Sequence, residues 1–482
     1  MTDRLQPAGS AVLARGGRIN FAGFLLRLMA RFPFLLIAAR LYGAEDLGRF
    51  AYATMIVEFA AQLATLGLKR GVAAEMARGD RPQAHALADA LALALVLAFA
   101  GAGLLLLFPV LMFPDGAVAP GERWLALIVP AIVLSEITLA GLAFRHRIGV
   151  AVRARSVIEP WVLTIAATGL AFTAWKSIGL LAAFGLSLLA AALASAWPAV
   201  AAFGIPKDWR PDGRRLWAMA SRNLPLAGAD MVEWATRRLD ILILGRFAAA
   251  EVVGLYFVAQ QVATLAGKIR TSFDPILAPM ISTALKAGNR TEAAAHVRQV
   301  GFWVLAFQIP VVLALGLPGE GVMGLFGPEF AAGALIMALL LTAELAAANS
   351  SISEMGLIYA RPRANLLIAA GGLALQAALS LALVPRFGGE GAAAALLLTL
   401  VAVAVARQWA LGRALEAPVG FWRWSLLGAG GAVFALGYAA RSLPELSQML
   451  LTIPGVLLVF GFIMWRWGFS PADRALFARQ RL

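Results

Sequence analysis

Seven basic residues lie inside otherwise apolar runs of this 482-residue chain: Arg27, Arg31, Arg40, Arg237, Arg238, Lys268 and Arg270. A charge at the centre of a lone spanning helix costs about 2.5–3.5 kcal/mol on insertion scales, so each needs a partner or water. Guanidinium groups are suited to holding an anion there, because their planar fork makes two charge-assisted hydrogen bonds at once. Arg27 and Arg31 are four residues apart, on one helix face, in a run that contains no acid to neutralise them. Asp230, Glu233 and Arg237 fall at i, i+3 and i+7 of another run. Glu233–Arg237 and Arg237–Asp240 can therefore be intrahelical pairs that make insertion tolerable, and this competes with the binding role. Arg238 faces away from Asp230 and Glu233. The candidate anion-binding set is Arg27, Arg31, Arg237, Arg238, Lys268 and Arg270, while Arg40 sits where a side chain snorkels to the interface. Asp230, Glu233, Asp240 and Glu58 are candidates for coupling to a proton or Na⁺.

The elements that carry these residues follow from composition. Hydrophobic residues make up 61% of the chain and charged residues 14%, against about 45–50% and about 25% in soluble domains. Mean hydropathy is +0.79. Windows of about 20 apolar residues, enough to cross about 30 Å of hydrocarbon, predict fourteen spanning helices. They are 19–41, 49–69, 87–113, 122–145, 156–175, 178–203, 223–247, 252–283, 300–318, 331–352, 364–385, 390–412, 421–440 and 447–466. Continuous Leu/Ala/Val runs exclude a porin-type barrel, whose strands alternate. Arg27 and Arg31 interrupt the first run, which reads as a retained helix rather than a secretory signal. The chain has no cysteine, so disulfides and thiolate metal sites are excluded. His85, His146 and His296 all fall in cytoplasmic loops, and no Walker loop, HExxH or nucleophile elbow is present. The expectation is a protein that is not an enzyme and carries no cofactor or metal.

Charge then orients the chain. With the N-terminus in the cytoplasm and strict alternation, cytoplasmic segments collect 28 of the 41 Lys and Arg residues, outer loops six and membrane interiors seven. This asymmetry is the positive-inside pattern, and it predicts that both termini are cytoplasmic. The net charge of +14 is scattered through short inter-helix loops, which suits anionic membrane lipids and not nucleic acid. Shifting the chain by 206 residues aligns Arg40–Ala53 with Arg246–Ala259. Between Arg31 and Ala53 the shift gives eight identities: Arg31, Leu36, Ile37, Arg40, Ala44, Glu45, Gly48 and Ala53. The paired Gly48 and Gly254 are expected to start the helices that follow. The reading is an all-α integral membrane protein of about 14 transmembrane helices. It has two pseudo-symmetric six-helix lobes (1–206 and 207–415) around a central cavity, and two C-terminal helices with a cytoplasmic tail (416–482). Parallel repeats of this kind give two lobes and alternating access.

RLYGAEDLGRFAYA (Arg40–Ala53), GLKRGVAAEMAR (Gly67–Arg78), RRLDILILGR (Arg237–Arg246), FGPEF (Phe326–Phe330) and LVPRFGGEGAAAALL (Leu383–Leu397) together resemble bacterial polysaccharide flippases. These form a Wzx-type branch of the multidrug/oligosaccharidyl-lipid/polysaccharide (MOP) exporter superfamily. The resemblance implies movement of an undecaprenyl-pyrophosphate-linked oligosaccharide between leaflets of a bacterial inner membrane. Arg forks would then hold the pyrophosphate in a cationic cavity, with Arg31 and Arg237 as equivalent positions. Polysaccharide polymerase and glycosyltransferases are the implied partners, in a lipopolysaccharide or exopolysaccharide pathway. Two alternatives stay open: a cation-coupled multidrug antiporter using Asp230, Glu233 or Asp240, and a peptidoglycan-precursor lipid flippase. A non-transporting scaffold would leave the interior arginines unexplained.

Overall fold

The computed structural model describes residues 6–271, 273–442, 444–470 and 473–474, with the side chains of residues 6–31, 271, 274–276, 441 and 446 outside that description. In chain order the α-helices are α1 (Gln6–Ala64), α2 (Leu68–Ala77), α3 (Gln83–Leu107), α4 (Val129–Phe144), α5 (Ile148–Val152), α6 (Glu159–Leu170), α7 (Lys176–Phe203) and α8 (Gly213–Phe247). They continue as α9 (Ala250–Thr271), α10 (Asp274–Lys286), α11 (Arg290–Gly316), α12 (Gly319–Gly324), α13 (Ala334–Ala360), α14 (Pro362–Leu415), α15 (Trp424–Ala439) and α16 (Glu445–Ile463). No strand occurs among the described residues.

Nine helical stretches among the described residues are long and apolar enough to cross a membrane. Two of them hold a sharp break where the sequence predicts a loop between spans. α1 breaks at Gly43 (φ 85°, ψ 177°) and α14 at Gly388 (φ 53°, ψ −129°), both backbone states that glycine reaches without a Cβ penalty. The sequence repeat has a structural counterpart, since α8 stops at Phe247 and α9 starts at Ala250, at the place equivalent to the Gly43 break. Gly48 and Gly254 do not start the following helices as expected. Both are buried inside them, because the reversal itself is completed at Gly43 and at Ala248–Ala249. The expected single span 252–283 is two helices, α9 and α10. A proline in the first turn of α10 has no N–H to continue the α9 ladder.

α3 shows how these helices meet lipid. Ala90, Ala94, Ala98 and Ala102 recur every fourth residue and are buried, while Val96, Phe99 and Leu107 are exposed. Only 28% of its most apolar window is buried. In water this arrangement would be inside out; in hydrocarbon, small residues face neighbouring helices so that backbones approach, and large ones face the tails. The chain divides into two compact units at Arg238 and Leu239, inside α8. In the first, α1 packs on α3, α4 and α6, and α7 on α4 and α6. In the second, α13 packs on α9, α11 and α14, with α15 and α16 against α11. Its core includes Phe302, Leu411, Phe421 and Phe460.

Candidate functional site

The first unit brings α2 against the start of α8. α2 begins after a left-handed step at Leu66 (φ 46°) and Gly67 (φ 72°). A Cβ on Gly67 would lie 2.6 Å from the backbone nitrogen of Ala227, and one on Gly71 would lie 1.6 Å from Oδ1 of Asn223. The GxxxG pair is thus a surface of close contact with α8. Below it the junction is locked by charge. Arg222 donates to both Glu75 oxygens at 3.0 and 2.7 Å, and Asn223 Nδ2 donates to the Met219 carbonyl at 2.9 Å.

This packing aims Lys69 and Arg70 at the acids of α8. Arg70 Nε lies 2.9 Å from Asp230 Oδ1, and its Nη2 lies 2.5 Å from Glu233 Oε2. Lys69 Nζ donates to Gln62 Oε1 at 2.8 Å and lies 3.7 Å from Asp230 Oδ2. The Asp230 side chain is 1% exposed, and neither of its oxygens makes a hydrogen bond, so charge alone holds it. Arg237 reaches Glu233 at 3.3 Å and is 72% exposed. Arg238 pairs with Glu58 at 3.7 Å. Nearby, Arg155 in the π-helical turn Arg153–Ile158 pairs with Glu136 and, at 2.8 Å, with Glu159.

The remaining candidates lie elsewhere. The backbones of Arg27 and Arg31 are helical, and their side chains lie outside the described residues. In the second unit Asp240 is buried and accepts from Tyr256 Oη at 2.6 Å and Gln260 Nε2 at 2.8 Å. Arg270 lies 3.8 Å from Glu344, whose carboxylate fills the space beside Gly267. Lys268 is exposed. Lys69 and Arg70 were not visible as site residues, because they end an apolar run and read as cytoplasmic-loop bases. Arg407 was missed as well, although it falls inside the expected span 390–412. It is buried, donating to Ser350 Oγ at 2.8 Å and Glu354 Oε2 at 2.9 Å. Among the described residues no group of three acids or histidines is arranged to hold a metal. The first-unit cluster is a set of three cations and two carboxylates, with one guanidinium left largely open.

Residues 37–320 match the family described as polysaccharide biosynthesis protein. No curated protein matches the sequence. Among solved structures the chain is similar to a lipid II flippase MurJ in an inward closed conformation. That protein is 15% identical, with 93% of this chain and 98% of that one covered and a TM-score of 0.76. It is also similar to an inward-facing multidrug resistance MATE family transporter of the MOP superfamily, at 14% identity, with 81% and 98% covered and a TM-score of 0.62. A MOP superfamily transporter from Pyrococcus furiosus gives 14% identity, with 84% and 96% covered and a TM-score of 0.57. At such identities the likeness is one of fold, and it agrees with the all-helical membrane-protein reading of the sequence. With more than half its length matched to that family's model, the chain belongs to the polysaccharide biosynthesis protein family.

Proposed function

We propose that the protein is a flippase that carries a polyprenyl-pyrophosphate-linked oligosaccharide from the inner to the outer leaflet of a bacterial inner membrane. The observation that carries this reading is the cluster of Lys69, Arg70 and Arg237 on two helices of an apolar chain, with Arg237 72% exposed. Sugars and phosphates cannot cross hydrocarbon unaided, since each unsatisfied polar group costs several kcal/mol there. Guanidinium forks replace the lost water around a phosphate bidentately, while the prenyl chain has no reason to leave lipid. Membership of a polysaccharide biosynthesis family supports a glycan-bearing cargo, and glycosyltransferases and a polymerase are the proposed partners that make and use it. Lys268 and Arg270, and Arg27 and Arg31, are further positions at which the same headgroup is proposed to bind.

The test is reconstitution into vesicles with an undecaprenyl-pyrophosphate-linked oligosaccharide on one side. A hydrogen bond to a charged group is worth about 1.5–3 kcal/mol, so Arg70→Gln and Arg237→Gln should each weaken binding about tenfold or more. Arg237→Lys keeps charge without the planar fork and should rescue only in part. Wild-type binding and flux in the Arg70→Gln/Arg237→Gln double variant, with the fold intact, would overturn the reading. A peptidoglycan-precursor lipid carries the same pyrophosphate, and running it in parallel decides which glycan is accepted. Faster export of an amphipathic cation by the double variant would point instead to an antiporter.

A further inference from the structure

The cations of the first-unit cluster are already engaged by carboxylates, and an incoming anion must compete for them. From α2 come Lys69 and Arg70; from α8 come Asp230, Glu233 and Arg237; α1 contributes the neutral Gln62, which holds Lys69. The neighbouring charges are paired separately, Arg238 with Glu58 and Arg222 with Glu75. Three positive charges therefore face two negative ones. A headgroup with two negative charges would turn that local balance from +1 to −1 beside the buried Asp230, where charge is poorly screened.

Asp230 is the group on which this falls. Its side chain is 1% exposed, it has no hydrogen bond, and its charge rests on Arg70 Nε at 2.9 Å and Lys69 Nζ at 3.7 Å. If a phosphate oxygen takes either cation, a buried carboxylate is left with its compensation removed, and a buried group in that position neutralises itself by taking up a proton. Glu233 is half-exposed and keeps Arg237 beside it, so it is not forced to follow. Resting on the flippase reading above, we infer that binding of the pyrophosphate headgroup at Lys69 and Arg70 is linked to uptake of a proton by Asp230. The carboxylate then acts as a stand-in for the substrate: ionised and paired while the site is empty, protonated when the anion occupies it. Linkage is reciprocal, so a lower pH on the loading side strengthens binding, and release to a side where the proton dissociates weakens it. Proton and substrate would move in the same direction through the cycle.

The experiment uses the full chain in detergent, with undecaprenyl pyrophosphate as the probe. Calorimetric titration in two buffers of different ionisation enthalpy counts the protons taken up on binding. Protons that the probe itself exchanges remain in an Asp230→Asn variant, so the difference between wild type and variant belongs to the carboxylate. The expected result is about one more proton taken up by the wild type near neutral pH, and binding by Asp230→Asn that is as tight or tighter and varies less with pH. Infrared difference spectra of the wild type alone should gain a protonated-carboxyl C=O band when the probe is added, which keeps the test valid if the variant fails to fold. Equal proton uptake in the two proteins, or no such band, overturns the linkage while leaving the site intact. Undiminished binding by Arg70→Gln would instead overturn the site itself.

Discussion

Asp473 shows how a single carboxylate ties the end of the chain to the helices. It accepts from Ser470 N at 3.0 Å and Oγ at 2.7 Å, from Trp303 Nε1 at 3.0 Å and from Arg423 Nη1 at 3.2 Å. Burial by itself would raise its pKa, but the Ser470, Trp303 and Arg423 hydrogen bonds outweigh it and bring the carboxyl below its ordinary value. A depressed folded-state pKa adds stability above the unfolded value of about 3.9, and that stability is lost as pH falls through the folded value. Asp473→Asn should therefore lower the thermal midpoint in detergent at pH 7, by the equivalent of about 1.5–3 kcal/mol for hydrogen bonds to a charged group. The gap between the two proteins should narrow as pH falls below about 3.9. An equal gap above and below that pH would show that the charge is not what matters. Lys69 and Arg70 teach a related lesson: side-chain identity was plain in the sequence, but their acids lie some 160 positions away on another helix.

At the scale of the element, α2 is placed by the glycine that precedes it. Gly67 and Gly79 both have positive φ, 72° and 73°, so alanine strains the backbone at either by about 1–2 kcal/mol. They differ in what surrounds them. A Cβ on Gly67 meets the Asn223, Leu226 and Ala227 backbones within 3 Å, whereas one on Gly79 meets nothing within 4 Å. Gly67→Ala should thus cost a further 1–3 kcal/mol, roughly the cost of overpacking, and should weaken substrate binding by tilting Lys69 and Arg70 away from α8. Gly79→Ala should lose only the smaller amount and keep binding. Thermal unfolding of both variants in detergent checks the first point and probe titration the second. Equal losses would mean that close packing on α8 does not position α2. Read as sequence, Gly67 and Gly71 were two of 47 glycines, and spacing alone could not separate them from the others.

At the scale of the whole molecule, orientation is the quantity that charge predicts. The loop that contains Pro211 should lie in the cytoplasm and the Gly388 break, beside Glu390, should face outward. Both residues are exposed, and the chain has no cysteine to interfere. An impermeant thiol reagent added to cells with a permeabilised outer membrane should label Glu390→Cys and spare Pro211→Cys. The reverse pattern would invert the topology, and with it the direction of transport proposed here. Labelling should not depend on the cluster at Arg70, so the Arg70→Gln background should give the same pattern.

The all-helical class and the loops that hold the Gly43 and Gly388 breaks were legible in the sequence alone. These depend on a local quantity, the length of apolar runs and of the gaps between them, whereas which glycine makes each turn was not legible there. The expectation for α9 and α10 failed because hydropathy runs unbroken across a step where a proline ends hydrogen bonding. The candidate site divides in the same way. Glu233–Arg237 is a contact between neighbours on one helix, and its i, i+4 spacing revealed it. The pairing of Arg70 with Asp230, of Arg155 with Glu136 and of Arg407 with Glu354 was decided only by tertiary packing. A membrane helix can be rotated about its axis without changing its hydropathy, and only close contact between backbones selects which of its charges meet.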